Sequence, residues 1–201
     1  MESPFSINES LTFGWTTLKA HSALVFKIVL TLLALQVAYA IVTKVLAGTA
    51  LGFLAAIVLF IAEVVLGIGA TLVTLKLAKG EYTTYNDIVP PARLAWRYVL
   101  ASLLAGLIIV CGLILLIIPG IYVILRYSMV RFAVLDGAGV AESLRKSAAM
   151  TRGVKWHLLG FFVVAILLNI AGAILLLVGL LVTIPVTMIA AAHIYTKLLA
   201  R

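Results

Sequence analysis

The chain has 201 residues, 65% of them hydrophobic and 11% charged, with 15 Lys and Arg against 7 Asp and Glu and a net charge of +8. A soluble domain carries about a quarter charged residues, so this chain lacks the polar surface for water and is expected to face lipid. The single Cys111 excludes a disulfide framework, and His21, His157 and His193 stand too far apart for a local metal-ligand pair. The bases punctuate long apolar runs instead of gathering on one polar face, which argues against nucleic acid as a partner and for membrane topology.

In chain order, residues 1–9 hold two acids and no base, unlike the basic start of a cleaved signal, so the first span is expected to be retained. Ser6-Ile7-Asn8-Glu9 has capping-box spacing, and Ile7, Leu11, Trp15 and Leu18 share one helical face. This predicts a helix over about 6–20 in the membrane interface, with Trp15 at headgroup depth. About 20 apolar residues cross a hydrocarbon core. Six spans are expected, over about 22–43, 49–75, 98–118, 121–135, 158–178 and 184–198. The third and fourth are split at Pro119-Gly120, the fifth and sixth between Gly179 and Pro185. Each proline is expected in the first turn of the returning helix, where its missing N–H is not needed. Val140, Ala141, Leu144 and Ala148 face one way and Glu142, Arg145, Lys146 and Arg152 the other, which predicts a second interfacial helix over about 139–152, ended by Gly153. The stretch from Tyr82 to Arg97, with Asn86-Asp87, Pro90-Pro91 and Trp96, is the least regular connection. The expected fold class is all-α: one polytopic membrane domain of six helices in three hairpins, a unit of interfacial segment, span, turn and span used three times.

Orientation follows from the bases. With the N-terminus in the cytoplasm, Lys19, Lys27, Lys76, Lys79, Arg93, Arg97, Arg131, Arg145, Lys146, Arg152, Lys155, Lys197 and Arg201 lie inside and Lys44 alone outside. An even number of spans returns the C-terminus to the same side of the cytoplasmic (inner) membrane. The outer connections are short, so recognition from water is expected on the cytoplasmic face.

The run Ile118-Pro119-Gly120-Ile121-Tyr122, then Arg126, Glu142-Ser143-Leu144-Arg145-Lys146-Ser147 and Thr151-Arg152-Gly153-Val154-Lys155-Trp156, with Ile184-Pro185 and Tyr195, resembles a signature of a broad group of prokaryotic six-helix membrane proteins. That group includes stand-alone proteins of unassigned function and the membrane domain fused to some glycerophosphodiester phosphodiesterases. The resemblance spans nearly the whole chain, most specifically its second half. It implies a fold and a membrane location, not an activity. The fused enzymes carry their chemistry in a separate soluble barrel, and no catalytic residue is carried over.

Glu63 is the one acid well inside a span, where an ionised carboxylate costs about 2.5–3.5 kcal/mol. A Glu63–Arg126 pair with Asn169 as third member is expected as an intramembrane polar site. It would either fix how the hairpins pack or hold an ion, a proton or a lipid headgroup. Arg145, Lys146, Arg152 and Lys155 are expected to dock anionic lipid headgroups at about 1 kcal/mol per base, besides obeying the inside-positive bias. Arg131 with Asp136 is read as the inner boundary, with Arg131 snorkelling. Gly48 with Gly52, Gly67 with Gly69, Ala101 with Ala105, and Ala171 to Ala173 are expected to let helices approach closely. Cys111 is read as an inert apolar residue and His193 as bonding a backbone carbonyl.

No nucleophile with a base, paired carboxylates, metal set or phosphate loop is visible, so no cofactor, metal or enzymatic activity is expected. The function read from the sequence is a non-enzymatic accessory module that binds membrane lipids, anionic ones foremost, or a partner membrane protein. The alternative is a small transporter or permease subunit for a lipidic or anionic solute, working through Glu63, Arg126 and Asn169. A membrane-embedded enzyme acting on lipid is the third class, and for it Glu63 lacks an acid–base partner.

Overall fold

The computed structural model describes residues 5–175 and 178–200. Among these every regular element is helical: α1 (Ile7–Ala20), α2 (Ser22–Val45), α3 (Ala50–Lys79), a 3-10 turn (Tyr85–Ile88), α4 (Ala92–Leu115), α5 (Ile117–Tyr127), α6 (Val130–Leu135), α7 (Val140–Met150), α8 (Lys155–Ile174) and α9 (Leu180–Leu199). The longest, α3, shows why the boundaries fall where they do. Thr49 caps it by accepting from the Gly52 amide at 3.0 Å, and Gly80 ends it at φ 70, a left-handed conformation that favours glycine. Lys76 and Lys79 occupy its last turn, where cations suit the negative end of the helix.

Five helices, α2, α3, α4, α8 and α9, are long and apolar enough to cross a membrane. Their packing is uneven. Only 11% of the most apolar stretch of α2 and of α3 is buried, against 50% for α9, so α9 is the axis of the bundle and packs against α1, α3 and α8. In α3 burial begins at Ile68: from Ala50 to Gly67 every residue but Gly52 is at least partly exposed. The core therefore sits toward the end of the bundle where α3 and α9 finish, around Tyr195, Phe161, Leu75 and Leu158. This end also gathers Lys76, Lys79, Asp136, Lys146 and Lys197, and is called the basic end below.

Several sequence expectations change here. The third expected span, 98–118, is α4, which starts earlier, directly after Pro91, and stops at Leu115. The turn into the next helix is made by Leu116, in extended conformation, so Pro119 lies in the first turn of α5 as expected but Pro119-Gly120 is not the turn itself. Pro185 lies inside α9, past its first turn. The α8–α9 crossing is tight at Gly172 and Gly179, where a Cβ on Gly179 would come within 2.5 Å of the Gly172 carbonyl oxygen. The end of the expected fifth span, 158–178, crosses residues 176–177 and so lies partly outside the described residues, as does Arg201.

The fourth expected span, 121–135, is two short helices, α5 of 11 residues and α6 of 6. The break has a hydrogen-bond cause. The Ser128 hydroxyl donates to the Leu125 carbonyl at 2.9 Å, and the Met129 amide turns to the buried Ser147 Oγ at 3.2 Å. The Arg126 carbonyl, freed in the same way, accepts from Ser147 Oγ at 2.9 Å and Thr151 Oγ1 at 3.2 Å. Hydroxyls of α7 thus replace the helical ladder across the break.

The same substitution of small polar for apolar contact alters both amphipathic helices. On α1 the residues buried in the bundle are Ser10, Gly14 and Leu18, while Ile7 and Leu11 of the expected apolar face pack partly buried against the core. Gly14 lets α9 approach until a Cβ would meet the Val186 carbonyl oxygen at 2.5 Å, and Trp15 stays 44% exposed with Lys19 over its ring. Ser6 caps α1 by accepting from the Glu9 amide, but the Glu9 carboxylate bonds Lys197 instead of closing a capping box. On α7 the buried residues are Ser143 and Ser147, with Val140, Leu144 and Ala148 half-buried and Ala141 exposed.

Candidate functional site

The densest polar constellation is centred on Asp136. It ends α6, and Gly137 at φ 101 turns the chain away. The carboxylate accepts from Lys79 of α3, from Lys146 of α7 at 3.4 Å and from the Tyr195 hydroxyl of α9 at 2.8 Å. Tyr195 is fully buried, with its ring 5.7 Å from that of Phe132. One side chain therefore ties four helices together at the basic end. Burial works against the Asp136 carboxylate, but the bonds from Lys79 and Tyr195 and the charges of Lys79 and Lys146 outweigh it and hold its pKa below the ordinary aspartate value. Arg131, read with Asp136 as marking the inner boundary, is exposed, and Lys146 of the expected lipid-binding cluster bonds Asp136 in this tie.

A second tie organises the connection expected to be least regular. Lys76 donates to Asp87 at 2.6 Å, while the Thr84 amide at 2.8 Å and the Thr83 hydroxyl at 3.1 Å bond the other carboxylate oxygen. The 3-10 turn they shape is wedged between α2 and α3, with Ile88 buried, the Tyr85 hydroxyl 2.8 Å from Thr31 Oγ1, and Lys27 over the Tyr85 ring. The Lys76 bond, followed by those of Thr84 and Thr83, holds the Asp87 carboxyl low. At the start of α1 the exposed Glu9 is likewise held low by Lys197 at 2.9 Å.

Asp136 and Asp87 have pKa values lower in the folded chain than in the unfolded one. Their contribution is complete above the unfolded value of about 4 and is lost as pH falls through the folded values. The aspartate contribution to the unfolding temperature in non-ionic detergent should be lost as pH drops below about 4. The double variant Asp87→Asn/Asp136→Asn should lose most of that acid limb. An identical acid slope in the two proteins would show that other groups set it.

Glu63, Arg126 and Asn169 are not brought together. Glu63 of α3 accepts from Gln36 of α2. Arg126 is exposed, 5.8 Å above the Tyr127 ring. Asn169 of α8 reaches Thr187 of α9 at 3.5 Å, leaving its Oδ1 buried and unbonded. Glu63 and Gln36 instead sit in the wall of a groove of about 660 Å3 between α2, α3 and α9, otherwise lined by residues such as Val29, Leu32, Leu33, Leu181 and Met188. Of the basic cluster, Arg145 and Arg152 are exposed, and Lys155 lies 3.9 Å over the Tyr122 ring. His193 stacks on Phe13 at 4.0 Å with neither ring nitrogen hydrogen-bonded, so the expected carbonyl bond is absent.

The Asp136 tie was not anticipated because its partners lie 57, 10 and 59 residues away in sequence. The signal available was a lone acid closing an apolar run before glycine, which marks a charge needing partners without naming them. Comparison with family models, with curated proteins and with solved structures finds no match to the chain.

Proposed function

We propose that the chain is an integral protein of the cytoplasmic membrane, crossing it six times with both termini inside. In this reading it is a non-enzymatic module that holds anionic lipid or a partner membrane protein. The observation that carries the reading is the exposed apolar belt. Leu30, Leu33, Val37 and Ile41 of α2, Phe53, Leu54, Val58 and Phe60 of α3, and Leu103, Leu107 and Val110 of α4 all lie open, far beyond what a water-soluble monomer tolerates. The sixth crossing in this reading is α5 with α6, joined through the hydroxyl-bridged break. The packing of α2 on α3, α4 on α5 and α8 on α9 supports three hairpins, and kinship with the six-helix prokaryotic group is part of the same proposal. Arg145 and Arg152, exposed beside α7 and α8, supply the anionic-lipid rim, with Lys155 at its edge.

The dispersal of Glu63, Arg126 and Asn169 supports this module over a small transporter, whose path would need them in one continuous cavity. Cysteines placed by Lys44→Cys or Arg152→Cys in a Cys111→Ala background test the topology with an impermeant maleimide. In intact cells Lys44→Cys should react and Arg152→Cys should not until the cells are permeabilised. Reaction of both in intact cells would sink the six-crossing reading. Neutralising Arg145 and Arg152 to Gln should weaken phosphatidylglycerol bound at this rim about fivefold per base, and unchanged binding there would remove the lipid rim.

A further inference from the structure

Between α4, α5, α6 and α8 lies a cavity of about 400 Å3, within the size range of small-ligand sites. On α4 its wall runs from Tyr98 through Ser102 and Gly106 to Ile109, one helical face about 16 Å long. Opposite, Ile124, Tyr127 and Arg131 follow in the reverse direction. The wall is therefore graded, with Tyr98, Tyr127 and Arg131 toward the basic end and Gly106, Ile109 and Ile124 at the other.

The polar half carries a cation and several hydroxyls but no anion. Among the described residues no acid lines the cavity, and Arg131 has no ion pair, since nearby Asp136 is taken up by Lys79, Lys146 and Tyr195. Ser102 Oγ is enclosed without a hydrogen-bond partner. A guanidinium without a counter-charge, beside hydroxyls able to donate, suits an anion that accepts hydrogen bonds. The apolar half calls for hydrocarbon.

We propose that this cavity is a site for one anionic phospholipid. Its phosphate diester is held by Arg131 with the Tyr98 and Tyr127 hydroxyls, and the start of an acyl chain lies along Gly106, Ile109 and Ile124. The assignment rests on the membrane reading above and names one site within it, separate from the Arg145–Arg152 rim. A free phosphate would fill only the polar half, leaving the apolar half empty.

The full chain in dodecylmaltoside is titrated with dioleoylphosphatidylglycerol, with dioleoylphosphatidylcholine and with glycerol 1-phosphate, and adducts are counted by native mass spectrometry. One tight phosphatidylglycerol adduct is expected, with weaker phosphatidylcholine and no glycerol phosphate. Arg131→Gln should weaken that adduct about tenfold. Gly106→Leu should abolish it by filling the apolar half; a Cβ at Gly106 meets nothing within 4 Å and Arg131 is exposed, so both variants should keep the wild-type unfolding temperature. Arg145→Gln/Arg152→Gln should thin the later adducts and spare the first. Tight glycerol phosphate would make this a phosphate site and overturn the lipid assignment. Phosphatidylglycerol retention indifferent to both Arg131 and Gly106 would overturn this site alone. Retention of no anionic lipid by the wild type would overturn the wider lipid reading with it.

Discussion

Asp136→Ala lowers the stability of the folded chain by about 3 kcal/mol, the cost of stripping one partner from a partly buried ion pair. The substitution takes a partner from three groups at once: Lys146 and Lys79, which lose their shared counter-charge and leave Lys79 only Glu81 at 3.6 Å, and the Tyr195 hydroxyl, which sits in a fully buried side chain. For a chain of this length the unfolding temperature should fall by about 6–12 °C. Asp136→Asn, which keeps an acceptor for Tyr195 and gives up the charge, should fall between wild type and Asp136→Ala. Tyr195→Phe should cost about 1 kcal/mol alone and nearly nothing on top of Asp136→Ala, because the two changes remove the same bond. Circular dichroism melts in detergent read the wild type and all four variants, the Asp136→Ala/Tyr195→Phe double included. Additive losses would show that Asp136 and Tyr195 act independently.

Gly69→Ala should be nearly as damaging, although alanine is the better helix former. A Cβ at Gly69 would overlap the Ile88 carbonyl group and lie 2.7 Å from its Cα, and backbone cannot yield as a flexible side chain can. The 3-10 turn must move off α3, taking Ile88 out of the core and straining the Lys76–Asp87 and Tyr85–Thr31 contacts. The expected loss is about 3 kcal/mol from overpacking and lost burial together. Gly67→Ala is the control, since its Cβ meets nothing within 4 Å, and it should be neutral or stabilise by up to about 1 kcal/mol. Equal unfolding temperatures for the two variants would mean that the turn does not seat on Gly69. Protease cleavage within residues 80–91 should rise only in Gly69→Ala.

The pairing of Gly67 with Gly69 shows where the sequence stops being informative. Both glycines were expected to admit a neighbouring helix, yet one faces open space and the other receives the backbone of a turn from the connection that looked least ordered. The same holds for Glu63 and Arg126, each conspicuous among apolar residues: Glu63 meets Gln36 of α2 and Arg126 stays exposed above the Tyr127 ring. A polar residue in an apolar run advertises its need for a partner. It does not say which neighbour will supply one.

Composition and local periodicity were enough to determine that the chain is helical, where its long apolar runs lie, and that Lys and Arg flank them, because these depend on residues within a few turns of one another. The tertiary structure decided which faces are buried, that the segment after Leu116 breaks at Ser128 and Met129, and that Asp136 joins four helices. A helix apolar on all sides carries no stripe to mark its inner face. Facing is then settled by small residues such as Gly14 and by a few hydroxyls and charges, whose partners are met only when distant parts of the chain pack together.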